Sequence, residues 1–279
     1  MTAPQAPQVA AEVLTYYSTR FDEHTRLRTS AAGVLELVRT QELLRRHLPA
    51  APASVLDVGG GPGTHARWLV EDGYRVRLVD PVERHVREAA DAGCAVELGD
   101  ARALSASDSS YDVVLLLGPL YHLPERADRE RVLAEAMRVV RPGGLVVAAG
   151  IQRFAALFDH ASVGRVHLDG RAERTGRVLA TGRNEGREFT FAYFHRADDL
   201  AAEVRDAGFD DTRLYGVEGP ADSMLKAAET ATGRQVARES DLFVSALAAA
   251  RLAEAHPELL VASSHLLVFG RRPGQAAFS

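Results

Sequence analysis

Between residues 53 and 151, short apolar runs alternate with amphipathic stretches. That is the pattern of a parallel sheet with crossover helices. Residues 54–58 predict a first strand, and Gly59-Gly60-Gly61-Pro62-Gly63 then breaks the regularity. Residues 64–72 predict a helix stopped by Gly73. Residues 75–80 alternate as a second strand, 82–92 form a helix ended by Gly93, and 95–98 form a short third strand. The continuous apolar run 112–117 suits a strand buried on both faces. Residues 124–140 read as a charged amphipathic helix. Arg141-Pro142-Gly143-Gly144 has Pro and Gly where a type II turn wants them, and 145–149 make a fifth strand.

Later segments extend the same sheet. A helix over 197–207 is capped by Gly208, and strands follow at 212–217 and 265–270. The long connection between those two strands predicts helices at 221–230 and 240–255, because structureless loops of that length are rare. Ahead of the sheet, residues 9–17 and 30–48 predict helices. In the second, Val34, Leu35, Leu37, Val38, Leu43, Leu44 and Leu48 form a stripe at helical spacing. The pattern is weak from 152 to 194, where Phe189, Phe191 and Tyr193 point to one extended stretch.

Composition narrows the class. The 279 residues are 46% hydrophobic and 25% charged, an ordinary globular balance. No apolar run approaches a membrane span, and the polar, Pro-rich start lacks a signal-peptide core. A cytoplasmic location is therefore expected. A formal net charge of −5 argues against general attraction to nucleic acid or anionic lipid. The single cysteine, Cys94, excludes an intrachain disulfide and reads as a small buried side chain. Among 33 lysines and arginines only Lys226 is lysine, a coding bias that points to a GC-rich genome.

A glycine turn between the first strand and helix of an α/β unit lets a nucleotide-like ligand approach the backbone. Here the spacing is Gly59-x-Gly61-x-Gly63, with Thr64 where a dinucleotide fingerprint has its third glycine. Val55-Leu56-Asp57-Val58-Gly59-Gly60-Gly61-Pro62-Gly63 resembles the first motif of the class I S-adenosylmethionine-dependent methyltransferases. Asp80 ending the second strand, Gly99-Asp100-Ala101 after the third, Tyr111-Asp112-Val113-Val114 opening the fourth and Arg141-Pro142-Gly143-Gly144 before the fifth stand where that family has its features. The resemblance spans roughly 50–150. It implies a Rossmann-like, seven-stranded sheet with six parallel strands and an antiparallel last one. It also implies methyl transfer from S-adenosylmethionine to an O or N atom of a small molecule, a natural-product intermediate among the candidates, with S-adenosylhomocysteine as product. By the family pattern Asp80 takes the ribose hydroxyls, and Asp100 and Ala101 the adenine. Asp57 and the backbone of Gly59 and Gly61 serve the methionine end, with Gly63 and Leu117 among the cofactor-binding positions. The competing readings are a helix N-cap for Asp80, a turn role for Asp100 and a structural role for Asp57.

The acceptor side of this family lies beyond the fourth strand, here Leu117-Gly118-Pro119-Leu120-Tyr121-His122. Gly118 stands where base and amide N-methyltransferases have Asp or Asn, which argues against that subclass. His122 is the candidate base and Tyr121 its candidate neighbour, each with a packing alternative. Tyr16, Tyr17, Phe21, Tyr193 and His195 are candidate acceptor contacts, and Glu218 and His265 are weaker ones. The chain divides into a helical lid at 1–50 and a catalytic domain at 51–279, whose segments 151–194 and 219–264 are acceptor-side elaborations. The spacing of Asp159, His160, His167 and Asp169 fits no metal motif, so no metal is expected. The arginines at 171, 174, 177, 183 and 187 read as a solvated face. The alternatives are an RNA or protein methyltransferase, an enzyme of C-methylation or cyclisation, a nicotinamide or flavin oxidoreductase, and a non-catalytic binding protein. Oligomeric state is not encoded legibly.

Overall fold

A computed structural model describes residues 11–20, 23–186 and 189–274. Its strands are β1 (Ser54–Val58), β2 (Arg75–Asp80), β3 (Ala95–Leu98), β4 (Tyr111–Leu116), β5 (Val140–Gln152), β6 (Arg183–Glu185), β7 (Phe191–His195), β8 (Asp210–Gly216) and β9 (His265–Arg271). The helices are α1 (Ala11–Thr15), α2 (Glu23–Arg26), α3 (Ala31–His47), α4 (Thr64–Glu71), α5 (Glu83–Glu88) and α6 (Arg126–Val139), then α7 (Ala155–Ser162), α8 (Arg171–Thr181), α9 (Ala197–Asp206), α10 (Ala221–Thr232) and α11 (Asp241–Ala253). None is long and apolar enough to cross a membrane.

Seven strands form the sheet β3-β2-β1-β4-β5-β9-β8. β1 to β5 pair in parallel, and β9 is antiparallel to both β5 and β8, as the family resemblance implies. Two strands are additional. β4 ends opposite Ala148, but β5 runs on to Gln152. On that overhang Ile151 and Gln152 pair in parallel with Phe194 and His195 of β7, and β6 folds back on β7. The weakly patterned stretch from 152 to 194 therefore holds two helices and a hairpin, and the extended stretch expected around Phe191 and Tyr193 is β7. The sequence hid the helices because α7 and α8 bury only Ala155, Thr175 and Val178, too few positions to set a period.

Each sheet face is covered. Val132, Leu133, Ala136 and Val139 of α6, with Leu200 and Val204 of α9, pack on one side. Leu43 and Leu44 of α3, with Ala66, Trp68 and Leu69 of α4, pack on the other. The other half of α3 buries Ala31, Ala32 and Leu35 against α10 and α11. So α3 is a core helix, started by Ser30, whose Oγ accepts from Gly33 N at 3.1 Å. Within its stripe sits Arg39, fully buried, which donates to Glu42 and Glu254 at 2.6 Å and to the Val217 carbonyl at 3.2 Å. The predicted N-terminal helix is present as α1, which continues as a π turn over Tyr16–Arg20, and Val9 and Ala10 lie outside the described residues. Cys94 is half-buried.

Candidate functional site

The site forms where the loops after β1 and β4 meet, the switch point of an α/β sheet. Gly59, Gly61 and Gly63 have φ of +70°, +57° and +83°, which side chains rarely adopt. A Cβ on Gly59 would lie 3.0 Å from the Pro119 ring, and one on Gly60 2.7 Å from Asp57 and Leu78. The glycines therefore let the loop fold tightly against its neighbours. Gly63 serves packing: its Cβ would meet Ala92 at 3.0 Å, and it does not line the cavity.

Asp80 reaches into this loop from β2. Its Oδ2 accepts from Gly61 N at 2.9 Å, and its Oδ1 from Val82 N at 2.9 Å and His85 Nδ1 at 3.1 Å. A carboxylate thus takes the backbone N–H that would cradle phosphate in a nucleotide loop. The loop suits a phosphate-free ligand carrying hydroxyls or a cation. His85 Nε2, buried and without a protein partner on a cavity-lining residue, offers a further polar contact. These features fit S-adenosylmethionine. Asp57 lies beneath the loop, off the cavity wall. Burial, aided by Asp80, raises its pKa to about 7, and its Oδ2 has no partner among the described residues. Neither Asp57 nor Gly63 lines this cavity. Asp100 lines the cavity, but its carboxylate also accepts from Arg102 N at 2.9 Å and from the Arg102 guanidinium at 3.0 and 2.8 Å.

Two cavities adjoin. One, about 360 Å³, is walled by the glycine loop, Asp80, Asp100, Ala101, Leu117 and His122. The other, about 720 Å³, is walled by α7, α8, β6 and the start of β9. Tyr17, Glu23, Arg26 and Tyr121 line both. Tyr121 and Tyr17 are thus at the junction, as the sequence led us to expect. Tyr16 stacks edge-on against Tyr17 and Phe189, with centroids at 5.1 and 5.8 Å, and lines neither cavity. Phe21 lies outside the described residues.

His122 lines the smaller cavity. Burial pushes its pKa down to about 4, while burial holds the Tyr17 phenol well above its ordinary range. Tyr17 Oη and His122 Nε2 share a hydrogen bond of 2.9 Å, which ties the ring to the N-terminal segment. Two other candidates, His195 and Tyr193, lie away from both cavities. His195 is fully buried under α9, with Nε2 3.5 Å from Glu203. Tyr193 lies beneath the Arg129 guanidinium, 4.0 Å from its ring centroid, and accepts from Arg153 at 3.2 Å. Neither lines a cavity. Both belong to a buried knot in which Arg129 donates to Glu203 at 2.7 and 2.9 Å. Burial alone would raise the Glu203 pKa, but His195 and Arg129 hold it at about 2.

The sequence reading missed the charged group at the junction. Arg26 donates to Glu23 at 2.8 Å and, as a fork, to both oxygens of Glu36 at 2.6 and 2.9 Å. Burial opposes ionisation of Glu36, yet Arg26 and His265 keep its pKa at about 2. His265 Nδ1 is 2.5 Å from Glu218 Oε1 and 3.7 Å from Glu36. Glu36 sits on the inner stripe of α3, a carboxylate where an apolar residue was due, and that was its only sequence signal. The arginines of α8 also differ from expectation. Arg174 and Arg177, with Arg183 of β6, line the larger cavity beside Glu173 and Glu185, and Arg187 lies outside the described residues. Asp159 pairs with Lys226 at 2.8 Å, and His160 bonds Thr175 at 3.0 Å.

Residues 55–144 match the model of a methyltransferase domain family. A ubiquinone biosynthesis O-methyltransferase of Ralstonia nicotianae is 32% identical over 177 residues, covering 61% of this chain and 68% of that protein. Methyltransferase GfsG of Streptomyces halstedii is 32% identical over 132 residues, 44% of this chain and 46% of that one. Among solved structures, a possible histamine N-methyltransferase from Thermotoga maritima superposes with a TM-score of 0.58 at 18% identity, covering 92% of this chain and 97% of the other.

Proposed function

The chain belongs to the class I S-adenosylmethionine-dependent methyltransferases, and from that premise we propose that it methylates an oxygen of a small molecule held in the larger cavity. The observation that carries this reading is the shared wall: Tyr17, Glu23, Arg26 and Tyr121 border both cavities, so a group in one faces a group in the other. Oxygen is favoured over nitrogen because the Ralstonia relative bears an O-methyltransferase name.

S-adenosylmethionine supplies a methyl group already activated on sulfur. The protein's work is then to bind, align and exclude water. Gly59 and Gly61 let backbone approach the ligand. Asp80 and His85 would hold its ribose, Asp100 and Ala101 its adenine, with Leu117 alongside. Tyr17, kept protonated and fixed on His122, closes the junction from the N-terminal segment. Arg26 and Glu23 set a paired charge at the same point. Phe189, Phe194 and Ile151 give the acceptor cavity an apolar wall opposite its charged one. That mixture suits a compact organic acceptor with polar substituents.

Calorimetry and a tritiated-methyl assay test the reading together. S-adenosylhomocysteine should bind and NAD(P) should not, and label should move to hydroxyl-bearing small molecules. Asp80→Asn should weaken S-adenosylhomocysteine by about 1–3 kcal/mol, because one carboxylate oxygen becomes a donor facing other donors. Binding of NAD(P) alone, or unchanged affinity in Asp80→Asn, would sink the corresponding assignment.

A further inference from the structure

We propose that His265 is the catalytic residue that takes the acceptor's hydroxyl proton, with Glu218 as its positioning residue. This rests on the larger cavity being the acceptor site. His265 opens β9 and lines that cavity. Its Nδ1 is turned inward onto Glu218, a fully buried carboxylate. Glu218 is itself fixed: its Oε2 accepts from Ser263 Oγ at 2.8 Å and from His265 N at 3.1 Å. Ser263 Oγ also accepts from Glu218 N and Gly219 N at 3.0 and 3.2 Å. With Nδ1–H donated to Glu218, the tautomer of the neutral ring is set, and once Nε2 gives up its proton its lone pair lies on the ring edge that is not held by Glu218. The side chain keeps 26% of its surface accessible, whereas Glu218 keeps none.

The other proton-bearing groups at the junction are unsuited to the task. His122 Nε2 is held by Tyr17, and burial pushes the ring's pKa down to about 4. Burial lifts the phenols of Tyr17 and Tyr121 above their ordinary range. Glu23 is paired with Arg26, and Lys226 is an ammonium between Asp159 and Asp222 at 2.8 and 3.0 Å. The charged groups facing His265 are Glu218 after β8, Glu36 on α3 and Arg26 on α2. Beyond them, Asp222 on α10 bonds Ser264 next in chain. Burial works against the His265 cation, but Glu36 and Glu218 outweigh it and raise the pKa to about 9. The base form therefore gains as pH rises toward that value. In the step, the acceptor O–H bond breaks with its pair left on oxygen, and the proton goes to Nε2. The oxygen pair then bonds the methyl carbon as the C–S pair stays on sulfur.

The first test is independent of activity. In the full chain, with and without S-adenosylhomocysteine, the His265 ring followed by NMR should titrate near 9, and Glu218→Gln should lower that midpoint by about one unit or more. A midpoint near the ordinary histidine value, or one indifferent to Glu218→Gln, overturns the pairing. The second test uses tritiated-methyl S-adenosylmethionine with phenol, catechol, 3,4-dihydroxybenzoate and benzyl alcohol as probes. Wild-type turnover should climb with pH toward 9. His265→Asn keeps a donor for Glu218 but removes Nε2. It should lower turnover about 100-fold and flatten the profile, with S-adenosylhomocysteine affinity held within about twofold. Glu218→Gln should move the limb to lower pH. Turnover of His265→Asn within about threefold of wild type overturns the proposal. Failure to bind S-adenosylhomocysteine would instead overturn the cofactor reading. Binding with transfer to none of the hydroxyl probes would remove O-methylation and this inference with it.

Discussion

At the scale of single residues, the candidate site divides by what neighbours do to each polar group. Asp80, Asp100 and the loop glycines were legible because acidic residues at strand ends and left-handed glycines are local features. The roles of His122 and His195 were not legible, because a histidine's chemistry depends on what takes its lone pair. His122 meets Tyr17 from the far end of the chain, and His195 meets Glu203 under α9. Asp57 shows the same dependence in its titration. Burial and Asp80 raise its pKa from 3.8 to about 7, so the fold favours its neutral form. That contribution is fully present below about pH 4 and is lost as pH rises through about 7. Asp57→Asn removes the titration. Against wild type it should gain ~1–3 kcal/mol of unfolding free energy at about pH 8 and nothing near pH 4. Urea unfolding at the two pH values checks this, and an equal effect at both would show that Asp57 is not held neutral by the fold.

At the scale of elements, the turn chemistry written in the sequence positions the cavity. Gly63 and Gly143 make a useful contrast. Both have positive φ, +83° and +77°, but a Cβ on Gly63 would meet Ala92 at 3.0 Å and Ala89 at 3.3 Å, and one on Gly143 meets nothing within 4 Å. Gly143→Ala should therefore cost only backbone strain, ~1 kcal/mol, and Gly63→Ala should cost more, ~2–4 kcal/mol, by adding a clash between α4 and the turn after α5. Thermal unfolding of the two variants checks the order. Equal losses would mean that the α4–α5 packing yields. α3 and β1 to β4 were read close to their bounds, whereas β5 begins at Val140, taking in the expected turn at 141–144, and ends at Gln152 rather than Ala149. The β6–β7 hairpin was half-read, as an extended stretch without its partner. The partner, β6, is only three residues long and carries no periodic signal of its own. Likewise α8 read as a solvated arginine face because its few buried positions gave no hint that Arg174 and Arg177 would border a cavity.

At the scale of the whole molecule, the N-terminal fifty residues separate into two parts with different work. α3 is locked into the core by Leu35, Leu43 and Leu44, all fully buried, and by the buried Arg39. The preceding segment instead places Val13 and Tyr17 on the wall of the glycine-loop cavity. Deleting residues 1–20 should thus leave the helical signal of the core while weakening S-adenosylhomocysteine by about tenfold or more, ~1.4 kcal/mol. Circular dichroism and calorimetry on the shortened chain check both halves. Unchanged affinity would reduce the segment to a packing appendage. By itself the sequence determined the sheet, its crossover helices, the glycine loop and the acidic strand ends. Periodicity and left-handed turns are set by residues within a few positions of one another. Only the tertiary structure decided which charges meet. Arg26, Glu36, Glu218 and His265 come from four segments spread over most of the chain and are brought within bonding distance at the junction of two cavities. The physical reason is that burial and partnership fix the protonation state of such groups, and both are properties of the packed molecule.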